Sequence, residues 1–245
     1  MIHDITYYKK IQNALDSTSL KQTALRNSIA RINRDFKKTI NWEMVTVSEQ
    51  NMELLITPGS NATNKKIKTR PQERIYLGQI VSWANTYWLI TELDFDQQIC
   101  CIGEMEQCNT ILRWQNEGHD ICSAFAVAED ATKYGEGVQD TVYMHTPYFV
   151  LKLKVSVNQD TIKIVRDKRF LLGKKGSVDE LTSYVVTRVN RITGTYDLEE
   201  QDPSNGYIEI TLSEDQLRPD VDNIELGIAD YIAPEGNPPE EGGWF

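Results

Sequence analysis

The sequence predicts a mainly β protein with a helical segment at its N-terminus. Three observations support this fold class. The densest apolar stretch falls into strand-length runs, turn residues separate those runs, and helical spacing is confined to about the first forty residues. The chain has 245 residues, of which 40% are hydrophobic and 25% charged, as in an ordinary globular protein. That length suffices for one large domain or two modest ones.

Residues 1–40 are predicted to form the helical segment. A short helix is expected over residues 6–16, and a longer one follows over residues 20–38, where apolar side chains recur at intervals of four, three and four: Leu25, Ile29, Ile32 and Phe36. Arg26, Arg31 and Arg34 lie largely off that stripe. We therefore expect the helix to pack its apolar face on the β domain and to present a basic face as an assembly contact.

Residues 41–127 are predicted to form a small β-barrel. Three consecutive strands are expected at 75–83, 86–93 and 99–114, with Ala84-Asn85 as a two-residue hairpin turn. Gly78 and Gly103 lie where glycine often marks a bulge or a barrel corner. The predicted barrel core contains the large apolar side chains of this stretch: Trp83, Trp88, Leu112 and Trp114.

A second β-rich domain, sandwich-like or Ig-like, is predicted for residues 140–215. Its clearest strand alternates apolar residues with polar ones, so that one face is wet: Leu151, Leu153, Val155 and Val157 against Lys152, Lys154 and Ser156. The loops at 57–74 and 128–140 are polar and are expected to order on contact with neighbours.

Residues 216–245 are predicted to be an extended acidic arm, because Pro, Gly and Glu dominate its last part and cannot bury a core. The arm ends in Trp244 and Phe245. Two aromatic residues on such a tether are interpreted as an anchor for a groove on another subunit, with a ragged terminus as the alternative.

Charge is distributed unevenly along the chain. The net charge is −10, yet residues 1–38 carry +5 and residues 214–245 carry −8. A basic head and an acidic tail indicate complementary ends in an assembly, or simply solvated charge at two ends of a protein. The acidic total argues against direct binding of nucleic acid.

The sequence contains no pattern that calls for a metal, a cofactor or an enzyme. The four cysteines lack the paired spacing of zinc sites and are interpreted as reduced thiols: Cys100, Cys101, Cys108 and Cys122. Glu104 and Glu106 could be imagined as a catalytic pair, although exposed acids on a strand are far commoner. No signal peptide or long apolar segment is evident, so no membrane association is expected.

Residues 81–94, 102–109 and 112–116 carry a resemblance to a known group. They resemble structural proteins of the head-to-tail module of tailed bacteriophages of Gram-positive hosts, and the string from Gln107 to Trp114, with Gln-Cys-Asn-x-x-Leu-Arg-Trp, is its most specific part. The resemblance covers roughly residues 6–125 and extends more loosely over the β-rich remainder.

What this resemblance implies is a neck protein, either a head-closure (stopper) protein or another connector. Such a protein forms a homo-oligomeric ring, a hexamer or a dodecamer, with the portal or adaptor above and the tail terminator or tail tube below. Genome DNA would pass nearby without specific binding. The implied location is the head–tail junction of the virion, after assembly in the host bacterial cytoplasm. Because the chain is longer than a minimal stopper, the identity of the ring stays open.

Two other interpretations remain. The chain could be another structural protein of the virion, such as a tail or decoration protein. It could also be a β-barrel that binds single-stranded nucleic acid, as small barrels with exposed aromatic residues do.

Overall fold

The predicted fold class is confirmed by a computed structural model. The structure describes residues 20–94, 99–130, 150–174, 176, 178–193 and 205–233, which form an N-terminal helix, a closed barrel and a second β unit. The helix predicted over residues 6–16 lies outside the described residues, as do Trp244 and Phe245.

Helix α1 spans Leu20–Asp35 and continues into a 3-10 turn at Phe36–Lys38. Phe36 is buried, whereas Leu25, Ile29 and Ile32 are only half-buried. Within the described part of the chain, α1 has no substantial contact with any named element except the turn that follows it. The apolar stripe thus reaches the barrel through its last member, Phe36, rather than along its length.

Six antiparallel strands close into the barrel in the order β1-β2-β3-β6-β5-β4. Their bounds are β1 Trp42–Val47, β2 Gln50–Pro58, β3 Asn64–Thr69, β4 Ile80–Trp83, β5 Thr86–Asp94 and β6 Ile102–Gln107. Pairing of Val47 with Val81 joins β1 to β4 and completes the closure. The interior is filled by alternate side chains of these strands, including Leu54, Ile67, Ile90 and Met105.

The tryptophan hairpin formed by β4 and β5 agrees with the sequence prediction. Ala84 and Asn85 both have positive φ, 50° and 59°, as a two-residue turn between right-twisted strands requires. Trp88 is buried in the barrel core, and the ring of Trp83 packs against it at 5.7 Å between centroids.

The third predicted strand, 99–114, is instead two strands in different sheets. The barrel strand β6 ends at Gln107, and β7 (Thr110–Gln115) pairs with β8 (Ile121–Asp130) in the second unit. The predicted barrel boundary at residue 127 is therefore wrong: the barrel strands end at Gln107. The sequence pattern does not reveal where the chain changes partners, because strand-like alternation of apolar and polar residues is found in both sheets.

The second unit is one curved sheet of six antiparallel strands, in the order β10-β11-β12-β9-β8-β7. Its remaining strands are β9 Val150–Ser156, β10 Arg169–Gly173, β11 Leu181–Thr193 and β12 Gly206–Asp215. The edge strands β7 and β10 approach one another, and Trp114 meets Phe170 edge-to-face with centroids 6.1 Å apart. This closes the core on the side where the sheet has no ladder.

Leu112 and Trp114 belong to the core of this second sheet and not, as predicted, to the barrel core. Leu112 is fully buried there among residues of β9 and β12, such as Leu153 and Ile210. Strand β9 confirms the predicted alternation, with Leu153 and Val155 inside and Lys152 exposed.

The C-terminal lobe, residues 216–233, is folded, so the predicted extended arm cannot begin at residue 216. Ile228 and Ala229 are buried, and Ala229 packs with Leu171 and Leu181 of the second sheet. Asn223 and Ile228 form a two-way backbone bridge that closes a tight loop within the lobe. Composition alone predicts an arm here, because the few apolar residues that become buried in the lobe are outnumbered by polar ones.

Candidate assembly surfaces

The outer face of α1 carries the three arginines predicted as assembly contacts. Arg26, Arg31 and Arg34 are all exposed. Arg34 donates two hydrogen bonds to the carboxylate of Asp35, both at 3.2 Å, and this contact raises the pKa of Arg34 and lowers that of Asp35. The structure thus brings the arginines onto one exposed helix, where Arg34 pairs with Asp35.

Where α1 meets the barrel, a compact charged cluster fixes the chain. Glu53 of β2 accepts Lys37 Nζ at 2.7 Å, lies 3.2 Å from Arg70 Nε, and accepts the indole N–H of Trp42 at 3.4 Å. The hydrogen bond from Lys37 is the main cause that lowers the pKa of Glu53. The Arg70 guanidinium also lies over the buried ring of Phe36, 5.6 Å from its centroid. These contacts attach the 3-10 turn at Phe36–Lys38 to the barrel and orient the start of β1.

The segment from Gln107 to Trp114 is the crossing between the two β units. The Cys108 N–H donates to Tyr87 O of the barrel at 2.8 Å, and the next N–H, of Asn109, donates to Ala126 O of β8 at 3.1 Å. The Asn109 side chain then exchanges two hydrogen bonds with the backbone of Ala128, at 2.7 and 2.9 Å. An asparagine at this position therefore extends the β7–β8 ladder while the chain changes sheets.

A half-buried ion pair spans the junction between the barrel and the second sheet. Lys154 of β9 donates to both carboxylate oxygens of Glu106 on β6, at 2.9 and 2.8 Å, and to Glu129 at 3.1 Å. Burial alone would lower the pKa of Lys154, but the hydrogen bonds to Glu106 and Glu129 raise it above the ordinary value. Glu106 also accepts the hydroxyl of Thr91 at 3.1 Å, so its position is fixed from both units.

Backbone and aromatic contacts also hold the two β units together at this junction. The Gly206 N–H donates to Leu77 O at 2.8 Å, and Gly78, with φ of +81°, lies directly against Gly206. The rings of Tyr87 and Phe125 stack across the units with centroids 3.7 Å apart. The two β units are thus joined by a short crossing, a shared ion pair and a close backbone approach.

A buried arginine attaches the C-terminal lobe to the second sheet. Arg169 of β10 donates to three carboxylates, a hydroxyl and a carbonyl, which belong to Asp215, Asp222, Asp230, Ser183 and Gln216. Burial alone would lower the pKa of Arg169, but these hydrogen bonds raise it. With its donors paired to oxygen acceptors, the guanidinium acts as the centre around which the lobe folds.

The end of the described lobe is fixed beside the β7–β8 hairpin. The Gln115 amide donates to Ile232 O at 2.9 Å and accepts the Ile232 N–H at 2.8 Å, which imitates a strand pair. Gln115 also donates to His119 O at 2.9 Å, and Lys168 Nζ donates to Gln115 O at 3.1 Å. The direction in which the chain leaves the lobe toward residues 234–245 is therefore set by one buried side chain.

The structure also shows the surroundings of the acids and cysteines that were considered as possible catalytic or metal-binding groups. Glu104 pairs with Lys66 at 3.5 Å, whereas Glu106 is engaged by Lys154, so the two acids do not act as a pair. All four cysteines are free, and burial, followed by the nearby Glu106 charge, raises the pKa of Cys108 to about 12. Among the described residues, no group of three or more His, Cys, Asp and Glu side chains is arranged to hold a metal ion. In the same part of the chain, no helix has the length and apolarity to cross a membrane.

The sequence did not single out Arg169, Asp222, Lys154 or Gln115 as important residues. Arg169 lies between two ordinary basic stretches, and Lys154 lies on the face predicted to be wet. The available signal for Arg169 was a charged residue opening an apolar strand, Arg169-Phe-Leu-Leu172. Burial of a basic side chain at the start of an apolar strand is strongly destabilising unless acidic side chains from elsewhere in the fold pair with it.

No family model and no curated protein matches this chain. Among solved structures, the chain is similar to one described as "MrkH, A novel c-di-GMP dependence transcription regulatory factor", at 11% identity, covering 80% of this chain and 85% of that one. The TM-score is 0.24, and a likeness of that degree carries no argument about fold or function.

Proposed function

We propose that this chain is a structural protein of the bacteriophage neck, which forms a ring beneath the portal and joins the DNA-filled head to the tail. One observation carries the proposal: the string from Gln107 to Trp114, which resembles neck proteins, is the crossing that fixes the barrel to the second sheet. The residues that carry the resemblance thus determine how the two β units are joined.

The physical character of the molecule supports this role. Ring subunits must hold their contact surfaces in fixed relative positions, and the junction combines an ion pair, a ring stack and a close backbone approach. An exposed basic helix lies at one end of the sequence and a folded acidic lobe near the other. Such a chain offers several separate surfaces to copies of itself, to the portal and to the tail.

The charge balance suits a protein beside a DNA channel. At a net charge of −10, the chain repels phosphate on average, so DNA can pass without being retained. The proposed role is structural and needs neither a catalytic group nor a cofactor. Its location would be the head–tail junction of the virion.

The proposal is tested by locating the chain in virions and by disrupting its reading frame in the phage. A fusion tag on the chain, labelled and imaged by electron microscopy, should appear at the head–tail junction of purified virions. Phage with the reading frame disrupted should accumulate heads and tails that do not join, and supplying the chain in trans should restore joining. A chain missing from purified virions would overturn the proposal.

Labelling in virions and a mobility-shift assay separate the other two interpretations. Label along the tail or over the head surface would assign the chain to a tail or decoration protein. A single-stranded nucleic-acid-binding barrel would instead produce a mobility shift that weakens as salt rises, which the proposed neck role does not require.

A further inference from the structure

We propose that α1 of one copy docks on the acidic C-terminal lobe of a neighbouring copy of this chain. The inference rests on the proposed ring, because it names the surface through which the ring would assemble. It goes beyond the neck role by specifying which two elements meet and by what chemistry.

Helix α1 has little contact with the named elements of the described chain. A 16-residue helix is marginally stable alone in water, and α1 has no acidic residue in its first turn to favour the helix dipole. Its apolar positions Leu25, Ile29 and Ile32 stay half-buried, and only Phe36 is fully covered. The helix therefore gains stability from any surface that covers this stripe.

The charge of α1 specifies the character of that surface. Residues 20–38 contain six basic residues and one acid, a net charge of +5. Arg31 is exposed and makes no ion pair with a described residue, whereas the single acid, Asp35, is already engaged by Arg34 and Lys38. A partner surface that joins acidic side chains to exposed apolar ones would satisfy both features of the helix.

The C-terminal lobe, with the two acids that precede it, has that complementary character. Residues 214–233 contain six acids and one base, a net charge of −5. Asp220 and Glu225 are exposed and have no ion pair among the described residues. Val221 and Ile232, which are 40% and 57% exposed, supply apolar surface on the same lobe.

The occupant is a second copy rather than the chain's own lobe. Phe36 fixes the end of α1 at the barrel, while Arg169 fixes the lobe to the second sheet, so the two elements are attached to different β units of one copy. A contact between different surfaces of successive copies is heterologous, and repetition of such a contact closes a ring when the rotation permits.

The experiment uses charge reversal in the full-length chain. R31E/R34E makes the helix face acidic, and D220K/E225K makes the lobe basic. Either variant alone should weaken self-association about 100-fold, because like charges then face each other across the contact. Sedimentation velocity and native mass spectrometry measure the assembly state. K163E/R188E, which reverses two exposed bases outside both surfaces, should leave assembly unchanged.

Mixing the two variants gives the decisive result. Each contact in the mixture pairs an acidic surface with a basic one, so assembly should return to the wild-type level with the two chains alternating. The chain that carries all four substitutions should also assemble alone. Restoration in both cases excludes misfolding as the reason for the single-variant losses.

Several outcomes would overturn the inference. They are a wild-type chain that stays monomeric at its solubility limit, single variants that assemble normally, or a mixture that remains dissociated. Variants that change the hydrodynamic radius without changing the mass would show docking within one chain. None of these results decides the neck role, which is judged separately by labelling in virions.

Discussion

Arg169 and Asp222 form a two-pronged ion pair, with Nη1 to Oδ1 at 2.9 Å and Nη2 to Oδ2 at 3.0 Å. Both side chains are buried, at 4% and 0% exposure. D222N would keep the shape but place an amide group against a guanidinium that has lost its two-pronged carboxylate partner. We expect the free energy of unfolding to fall by about 3–5 kcal/mol, measured by urea denaturation.

D220N serves as the matched control, since Asp220 is exposed on the same lobe and makes no ion pair with a described residue. It should change the free energy of unfolding by less than about 0.5 kcal/mol. Equal losses for the two variants would show that the lobe responds to total charge and not to the Arg169 contact.

Acid should weaken the attachment of the lobe. Burial alone would raise the pKa of Asp222, but hydrogen bonds from Arg169 and from the backbone N–H groups of Arg218 and Asp230 lower it below 3.8. The native state therefore binds this proton less readily than the unfolded state, and the contribution to stability is complete above that pH. It is lost as pH falls from about 3.8 through the lower native pKa. In urea titrations from pH 6 to pH 2, the advantage of wild type over D222N should shrink only in the acidic part, and a constant difference would contradict this assignment.

Gly78 should tolerate no side chain. A Cβ there would lie 1.6 Å from Gly206 O, and its φ of +81° is itself unfavourable for an L residue. G78A should therefore destabilise the protein by roughly 4 kcal/mol or more, because backbone at the junction must move. G176A isolates the conformational cost, since Gly176 has a φ of +78° with nothing within 4 Å, and it should lose only about 1–2 kcal/mol. Thermal unfolding compares the two, and equal losses would refute the close approach.

The fold class was predictable because local pattern decides it here. The positive φ of Ala84 and Asn85, the tryptophan hairpin and the alternation in β9 all follow from side chains close in sequence. The exchange of sheets at Cys108 was not predictable in this way. Leu112 and Trp114 are apolar residues that either core could accommodate. Pairing of their strand with β8 places them in the second sheet.

The contacts that hold the surfaces in place were less accessible to sequence reasoning. Arg26, Arg31 and Arg34 were identified correctly as exposed because helical periodicity assigns faces. Arg169 and Asp222 are 53 residues apart, and no local pattern relates a base on a strand to an acid in a loop. The early part of the acidic arm looked unstructured for the same reason, since its order depends on that distant arginine.

Lys154 and Glu106 should couple the two β units energetically. K154M would leave Glu106 half-buried without its cation, and E106Q would leave Lys154 with only Glu129 as its charged partner among the described residues, so each should cost about 1–3 kcal/mol in urea denaturation. The double variant K154M/E106Q should lose less than the sum, by about 0.5–3 kcal/mol, because the Lys154–Glu106 contact is then removed once and not counted twice. K152M, at the exposed neighbouring lysine of β9, is the control for loss of charge. Strict additivity of K154M and E106Q would mean that the pair does not join the units.

Removal of residues 234–245 should separate folding from assembly. The described lobe ends beside Gln115, whose amide holds Ile232 through two hydrogen bonds, so the truncated chain should keep its thermal midpoint. Ring formation should weaken roughly tenfold or more if Trp244 and Phe245 anchor a neighbour, since buried aromatic residues dominate binding energy. W244A/F245A in the full chain should reproduce this loss, whereas E240Q/E241Q removes charge and keeps both rings. Assembly lost in E240Q/E241Q but retained in W244A/F245A would assign the effect to charge, and unchanged assembly after truncation would refute the anchor altogether.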